Sequence, residues 1–281
     1  MRQQEIITEP IVTDSVTPVP RRPRLVTHPI PANDRQRYFN HYWETRQLTS
    51  VDCRTRLRIG LIDRMLEHRA GQLLDVGCGR GSTAAFFAES GFDVTAVDLS
   101  PLAVEWTRRQ HHKIRASVVD LETDPINGQF DVVLCLEVLQ QVREPVKALQ
   151  NLVGSLAGGG ELYLSLPNEF HLARRLSILL GEVDFGGIED SHIKLYTVAE
   201  HHRLIGGCGL EIIESRVQSV LPPRWWGGRP HAWCNRLATM MPGLFALSVV
   251  YKCRVGALSA PTALSHAREA AGAQNAPTQR G

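Results

Sequence analysis

The run Leu73-Leu74-Asp75-Val76-Gly77-Cys78-Gly79-Arg80-Gly81 constrains the fold of this chain more than any other segment. Its apolar start reads as a buried strand over residues 72–76, and its glycines as a tight turn. Ala84, Phe87 and Ala88, at i, i+3 and i+4, give the helix that follows, with Gly91 as its stop. A strand that turns straight into a helix opens a βαβ unit, and such units build a parallel sheet with helices on its faces. Glycines 77, 79 and 81 also let the backbone approach a ligand where any side chain would obstruct it. A dinucleotide fingerprint would need glycine at position 82, which is Ser82, so the loop departs from the NAD pattern by one residue.

The same alternation continues downstream. Residues 94–98 predict a second strand, and Ser100-Pro101 an N-cap with proline at the first helical position of a helix running to about His111. Residues 117–120 and 130–136 predict the third and fourth strands. Leu149, Leu152, Val153 and Leu156 then mark a helix face, broken by glycines 158–160. A fifth strand is expected at 161–166, a helix at 198–204 and a last strand at 211–217. Upstream, a helix capped by Asp52 would carry Leu57, Leu61, Ile62, Met65 and Leu66 on one stripe. The fold class expected is α/β, a Rossmann-like three-layer sandwich around a mostly parallel seven-stranded sheet. Residues 34–220 form the main domain, with 167–197 as a substrate-pocket insertion and 221–257 as a C-terminal cover. The proline-rich residues 1–33 and the small, polar residues 258–281 are expected to be disordered tails.

Two acids strengthen the reading of the glycine loop. Asp98 ends the second predicted strand, where a carboxylate accepts both hydroxyls of a ribose. Asp120 ends the third, where it would accept a hydrogen bond from an adenine amino group. Asp75 either orients the loop or meets the ligand.

With these residues in place, the glycine loop, VTAVDLS at 94–100, Asp120-Leu121 and FDVVLCLEVLQQV at 130–142 resemble the successive motifs of class I S-adenosylmethionine-dependent methyltransferases. The resemblance implies S-adenosylmethionine as cofactor. Asp75, Gly77, Gly79 and Gly81 would lie at its methionine part, Asp98 and Leu99 at the ribose, Asp120 and Leu121 at adenine, and Leu136 would complete the set. LQQVREP at 139–145, LPNEFHLARRLSILLG at 166–181 and SHIKLYT at 191–197 are similar to MetW-like proteins and to ubiquinone-pathway O-methyltransferases. Many relatives carry EVLEHV where this chain has Glu137-Val138-Leu139-Gln140-Gln141-Val142, so a role given there to histidine does not transfer to Gln141.

The activity expected is methyl transfer, to oxygen or nitrogen, on a small-molecule or quinone-like lipid acceptor. His192, between the fifth strand and the next helix, and Glu137, after the fourth strand, are the candidate catalytic residues. The alternatives are a non-catalytic partner protein that keeps the fold and, further off, an NAD-dependent oxidoreductase. With 31 basic against 29 acidic residues, the chain has no global field for nucleic acid. The six cysteines are scattered, without zinc spacing, so no metal is expected and the thiols read as reduced. No basic start leads into an apolar run at the N-terminus, and a cytoplasmic location is expected. The apolar run at 240–251 is too short for a transmembrane helix. Together with Pro223-Arg224-Trp225-Trp226-Gly227-Gly228-Arg229 it reads as a cover over the sheet or as a docking helix giving peripheral membrane contact through 223–251.

Overall fold

The protein is described by a computed structural model that covers residues 32–45, 53–181, 191–219 and 232–256. In chain order the elements are α1 (Ala32–Thr45), α2 (Cys53–Met65), β1 (Gly71–Val76), α3 (Ser82–Glu89), β2 (Phe92–Asp98), α4 (Pro101–Gln110), β3 (Arg115–Val118) and β4 (Phe130–Leu136). A 3-10 turn (Leu139–Gln141) leads to α5 (Pro145–Gly154), β5 (Leu156–Pro167), α6 (Leu172–Leu179), α7 (Val198–Gly207), β6 (Leu210–Ser219), α8 (Ala232–Met240), α9 (Pro242–Phe245) and β7 (Ala246–Val255).

Side-chain alternation along the strands divides the core into two layers. Leu73, Val132 and Leu134 face Ile62 of α2, Phe87 of α3 and Val104 of α4. Their neighbours Leu74, Val133 and Cys135 face the other way, against Leu149 and Leu152 of α5 and Ile205 of α7. The result is the expected three-layer α/β sandwich. The strand order is β3-β2-β1-β4-β5-β7-β6; β1 to β5 run parallel, and β7 is antiparallel to both β5 and β6. Order reverses at β1, whose neighbours are β2 and β4, so a crevice opens beyond the carboxyl ends of these strands. Helix α4 starts as expected: Ser100 Oγ accepts the Ala103 N–H at 3.2 Å, with Pro101 at the first position.

The structure corrects several expectations. The run at 240–251, read as a cover over the sheet or as a docking helix, instead forms the end of α8, the four-residue α9 and β7, which inserts between β5 and β6 with Val249, Val250 and Tyr251 buried. A strand inside the sheet buries both faces of this apolar run, whereas a helix on the surface would leave one of its faces to solvent. The sheet therefore draws on residues beyond 220, and the strand at 210–219 is not the last. Leu156 opens β5 rather than closing a helix face, because Ser155 caps α5 and Leu156 then pairs with Phe130. The glycines at 158–160 fall within β5, in a register shift opposite Phe130 and Val132. In α2, Leu57 is 59% exposed, and Ile59 takes the buried place. Strand β3 ends at Val118, leaving Asp120 in the turn that follows. Residues 32 and 33, expected in the N-terminal tail, instead open α1; Asp52, the rest of that tail, the tail expected at 258–281 and the tryptophan-rich stretch at 223–229 lie outside the described residues. Among the described residues no helix is long and apolar enough to cross a membrane, and Cys53, Cys78, Cys135, Cys208 and Cys253 are all free.

Candidate active site

The glycine loop is folded by close approaches that side chains would prevent. A Cβ on Gly77 (φ 70°) would stand 2.4 Å from Val138 Cγ2, and one on Gly79 (φ 54°) 2.6 Å from the Trp43 ring. Gly81 (φ 78°) faces Thr107 of α4 and His111, which caps that helix, instead of the crevice, so its demand is a packing one. The loop hangs from β2: the Gly77 and Cys78 N–H groups donate to the Val97 carbonyl at 2.8 and 3.1 Å. Asp98 fastens it further, accepting the Gly79 N–H on Oδ2 at 2.9 Å and the Ser100 N–H on Oδ1 at 2.8 Å. Each carboxylate oxygen thereby keeps a lone pair for a ligand hydroxyl. Burial raises the Asp98 carboxyl above the usual range, while these N–H donors oppose the rise.

Asp75 lies 2% exposed beneath the loop, with Oδ2 buried and without a hydrogen-bond partner. Burial, and then the charge of Asp98, push its carboxyl up to about 7. A buried carboxylate oxygen lacking a partner fits a cationic group of a ligand. Asp120 accepts the Glu122 N–H at 3.0 Å and stands 3.7 Å from Arg35. Its neighbour Leu121 is 6% exposed, and Leu99, Val119, Leu121 and Asp120 line the same cleft of about 500 Å³ as Asp98 and Gly77.

Helix α1 lies over this cleft. Gln36 Nε2 donates to the Leu99 carbonyl at 3.1 Å, the Ser100 hydroxyl donates to Asn40 Oδ1 at 2.5 Å, and Arg35 pairs with the buried Glu122. Phe39, Tyr42 and Trp43 of this helix line the cleft wall. The helix packs against α4, and the Trp43 ring lies against Gly79 of the glycine loop.

The other end of the cleft collects the two candidate catalytic residues and several that sequence reasoning did not single out. Glu137 follows β4 with φ 59°, the only non-glycine residue of positive φ among those described. Strain of this kind persists where surrounding contacts enforce it. Here the Ser165 and Ser248 hydroxyls donate to Oε1, the second at 3.1 Å, Gln140 Nε2 donates to Oε2 at 3.2 Å, and Arg58 stands 3.3 Å away. His192 Nδ1 is 2.8 Å from Glu169 Oε1, and its Nε2 is 3.4 Å from Gln140 Nε2. Arg174 approaches Glu169 at 3.6 Å. His171 accepts the Arg174 N–H on Nδ1 at 3.4 Å, and burial and then Arg174 lower its ring below the ordinary histidine range. Glu137 and His192, 55 residues apart in sequence, are thus bridged by one glutamine side chain. Leu136 and Gln141 line the cleft beside them. Glu169 and His171 sit in the LPNEFH stretch after β5, where only their distance past a strand end could have signalled them. Among the described residues, no group of three His, Cys, Asp or Glu side chains is arranged to hold a metal ion.

Residues 42–215 match the family described as "Methyltransferase domain". The mitochondrial ubiquinone biosynthesis O-methyltransferase of Schizosaccharomyces pombe is 37% identical over 120 residues, which is 40% of this chain and 43% of that protein. The ubiquinone biosynthesis O-methyltransferase of Xanthomonas axonopodis pv. citri is 32% identical over 134 residues, 45% of this chain and 55% of that protein. The chain spans about half the length of these curated relatives. Among solved structures, the N-methyltransferase NodS of Bradyrhizobium japonicum in complex with S-adenosyl-L-homocysteine aligns with a TM-score of 0.55 and 14% identity, over 79% of this chain and 98% of that one. Magnesium protoporphyrin IX methyltransferase from Synechocystis, with bound S-adenosylhomocysteine, aligns with a TM-score of 0.54 and 16% identity, over the same shares. At such identities the likeness is one of fold.

Proposed function

Because this chain belongs to the methyltransferase-domain family, we propose that it transfers a methyl group from S-adenosylmethionine to a hydroxyl of a quinone-like or related small-molecule acceptor. The observation that carries this reading is the continuity of one cleft from Asp98, Leu99, Asp120 and Leu121 at one end, past Gly77, to Glu137 and His192 at the other. The first group suits a nucleoside. The second supplies a histidine beside the place where an acceptor would stand. The names of the curated relatives support the quinone-like acceptor.

Asp98 would take the ribose hydroxyls on its free lone pairs, Asp120 the adenine amino group between Leu99 and Leu121, and Asp75 the ammonium of the methionine part. When bound, S-adenosylmethionine supplies a sulfonium methyl: the acceptor oxygen bonds to carbon as the carbon–sulfur bond breaks, and the sulfur loses its charge. Positioning of the two partners provides much of the rate of such a displacement. His192 Nε2 takes the hydroxyl proton, so that the oxygen carries a full lone pair toward carbon. Glu137, held by four neighbours, shapes the floor rather than moving a proton.

Calorimetry with S-adenosylhomocysteine tests the cofactor half of this reading. Wild-type protein is expected to bind in the micromolar range, and Asp98→Ala to weaken binding at least tenfold by removing charge-assisted hydrogen bonds worth about 1.5–3 kcal/mol each. Absence of binding by the wild type would overturn the reading and bring forward a partner protein that keeps only the fold.

A further inference from the structure

The hydrogen bonds around His192 determine which of its nitrogens carries the proton. Glu169 is 6% exposed, and His192 is nearly as buried in its side chain. The carboxylate can only accept, so the 2.8 Å contact places the proton on Nδ1. On the opposite side of the ring, Gln140 is fully buried, and its amide orientation is not free. Its Nε2 stands 3.2 Å from Glu137 Oε2, where an amide oxygen would meet a carboxylate. Nitrogen therefore belongs at that position, and its second hydrogen points at His192 Nε2, 3.4 Å away. Both neighbours require the same ring: protonated on Nδ1, with a lone pair on Nε2.

The main chain of Gln140 completes the arrangement. Its carbonyl accepts the N–H groups of Ile193 and Lys194, each at 3.0 Å, and so ties the His192 segment to the turn after β4. Two residues before Gln140, Val138 lies against Gly77 of the glycine loop. His192, Gln140 and the cofactor loop are thereby joined through two short segments, residues 138–140 and 192–194.

We infer that Glu169 and Gln140 are positioning residues which fix His192 as the Nδ1-protonated tautomer and hold its Nε2 lone pair for the acceptor hydroxyl. The inference rests on the proposed methyl transfer for its purpose, though the tautomer itself is independent of it. At 3.4 Å the Gln140 bond is long, and an entering hydroxyl displaces it at small cost. As the hydroxyl proton arrives on Nε2, the ring becomes a cation paired with Glu169. Product release and loss of that proton to solvent restore the starting state. Arg174, 3.6 Å from Glu169, keeps the carboxylate in place without touching the ring.

Nitrogen-15 spectra of histidine-labelled protein at about pH 8.5, above the ordinary imidazole range, test the tautomer directly. His192→Gln identifies the ring signals. The wild type is expected to show protonated Nδ1 and unprotonated Nε2, and Glu169→Leu and Gln140→Leu to move the population toward the Nε2-protonated form. A wild-type ring protonated on Nε2, or an unchanged tautomer in a folded Glu169→Leu protein, would overturn the inference. Should Glu169→Leu fail to fold, Glu169→Met serves in its place, since it keeps the length of the side chain and removes every acceptor oxygen. The kinetic arm uses 4-methylcatechol and S-adenosylmethionine. There Glu169→Gln should lower kcat by on the order of 10²-fold with KM for the catechol little changed, and Glu169→Asp should recover to within about tenfold of wild type. Unaltered kcat in Glu169→Gln would also overturn the inference. A wild type that methylates no catechol but shows the expected tautomer would count against the proposed acceptor alone.

Discussion

Asp75 and Asp98 place two carboxylates side by side under the glycine loop, and the pair has a consequence for ligand binding. The folded pKa of Asp75, about 7, stands above the ordinary 3.8 because burial, and then the charge of Asp98, disfavour its ionised form. Its contribution to stability is fully present below the ordinary aspartate value and is lost as pH rises through about 7. A ligand ammonium near the partnerless Oδ2 reverses this, since it favours the ionised carboxylate. Affinity for S-adenosylhomocysteine should therefore climb between about pH 5.5 and 7.5, by up to about tenfold per unit, and then level. Calorimetry across that range checks it, with Asp75→Asn expected to give a flat profile; a flat profile in the wild type would show that Asp75 meets no cation. The residue types needed for this site are readable in the chain, because glycines and acids at strand ends have few structural substitutes. The Glu169–His192–Gln140 link is not, because it joins side chains from three separate segments whose contact depends on tertiary geometry.

At the scale of elements, α1 is attached to the rest of the molecule chiefly through polar bonds at the cleft. Gln36 and Asn40 reach the Leu99 carbonyl and the Ser100 hydroxyl, so the helix rests on the same turn that carries Asp98. Losing both side chains removes three neutral hydrogen bonds, the one from the Leu102 N–H to Asn40 Oδ1 long at 3.5 Å, worth about 0.5–1.5 kcal/mol each. A Gln36→Ala, Asn40→Ala protein should lose amide-exchange protection across residues 32–45 while β1 and β4 keep theirs, and should bind cofactor about 3- to 30-fold more weakly. Unchanged protection in α1 would mean that its aromatic face and the Arg35–Glu122 pair hold it without these bonds. The strands of the parallel half were legible because a buried run bounded by turn residues has one consistent reading. Ser100-Pro101 and the helix after it were legible for the same local reason, as capping acts within four residues. The antiparallel half was not. The run at 240–251 is apolar throughout and lacks the period that separates strand from helix, so only the open edge between β5 and β6 decides its state.

For the whole molecule, that same β7 carries a buried cation, Lys252, that links the sheet to α2. Lys252 is 2% exposed and donates to the Met65 carbonyl at the end of α2 at 3.0 Å, to Glu67 Oε1 at 2.7 Å, and pairs with the fully buried Glu161 at 2.9 Å. The Tyr163 hydroxyl donates to Glu161 Oε2 at 2.9 Å and lies 3.0 Å from the same Met65 carbonyl. Helix α2 holds Arg58 at the cleft, so the network fixes both the last turn of a helix and the distance from sheet to site. Burial acts to raise the Glu161 carboxyl, but the hydrogen bonds of Lys252 and Tyr163 and the lysine charge hold it below its ordinary value. Its ionised form therefore stabilises the fold above the ordinary glutamate range, and that contribution is lost as acid takes pH down through the folded value. Replacing Lys252 by Met preserves most of the stem volume and leaves a buried carboxylate short of its main partner. Breaking a buried pair from one side costs about 3–5 kcal/mol, and replacing both sides costs far less. Lys252→Met should thus lower the denaturant midpoint strongly, and adding Glu161→Gln should recover a good part of the loss. If the double variant is no more stable than Lys252→Met alone, the charge of Glu161 is not what the lysine is there to balance, and its bonds to the Met65 carbonyl and to Glu67 make its contribution.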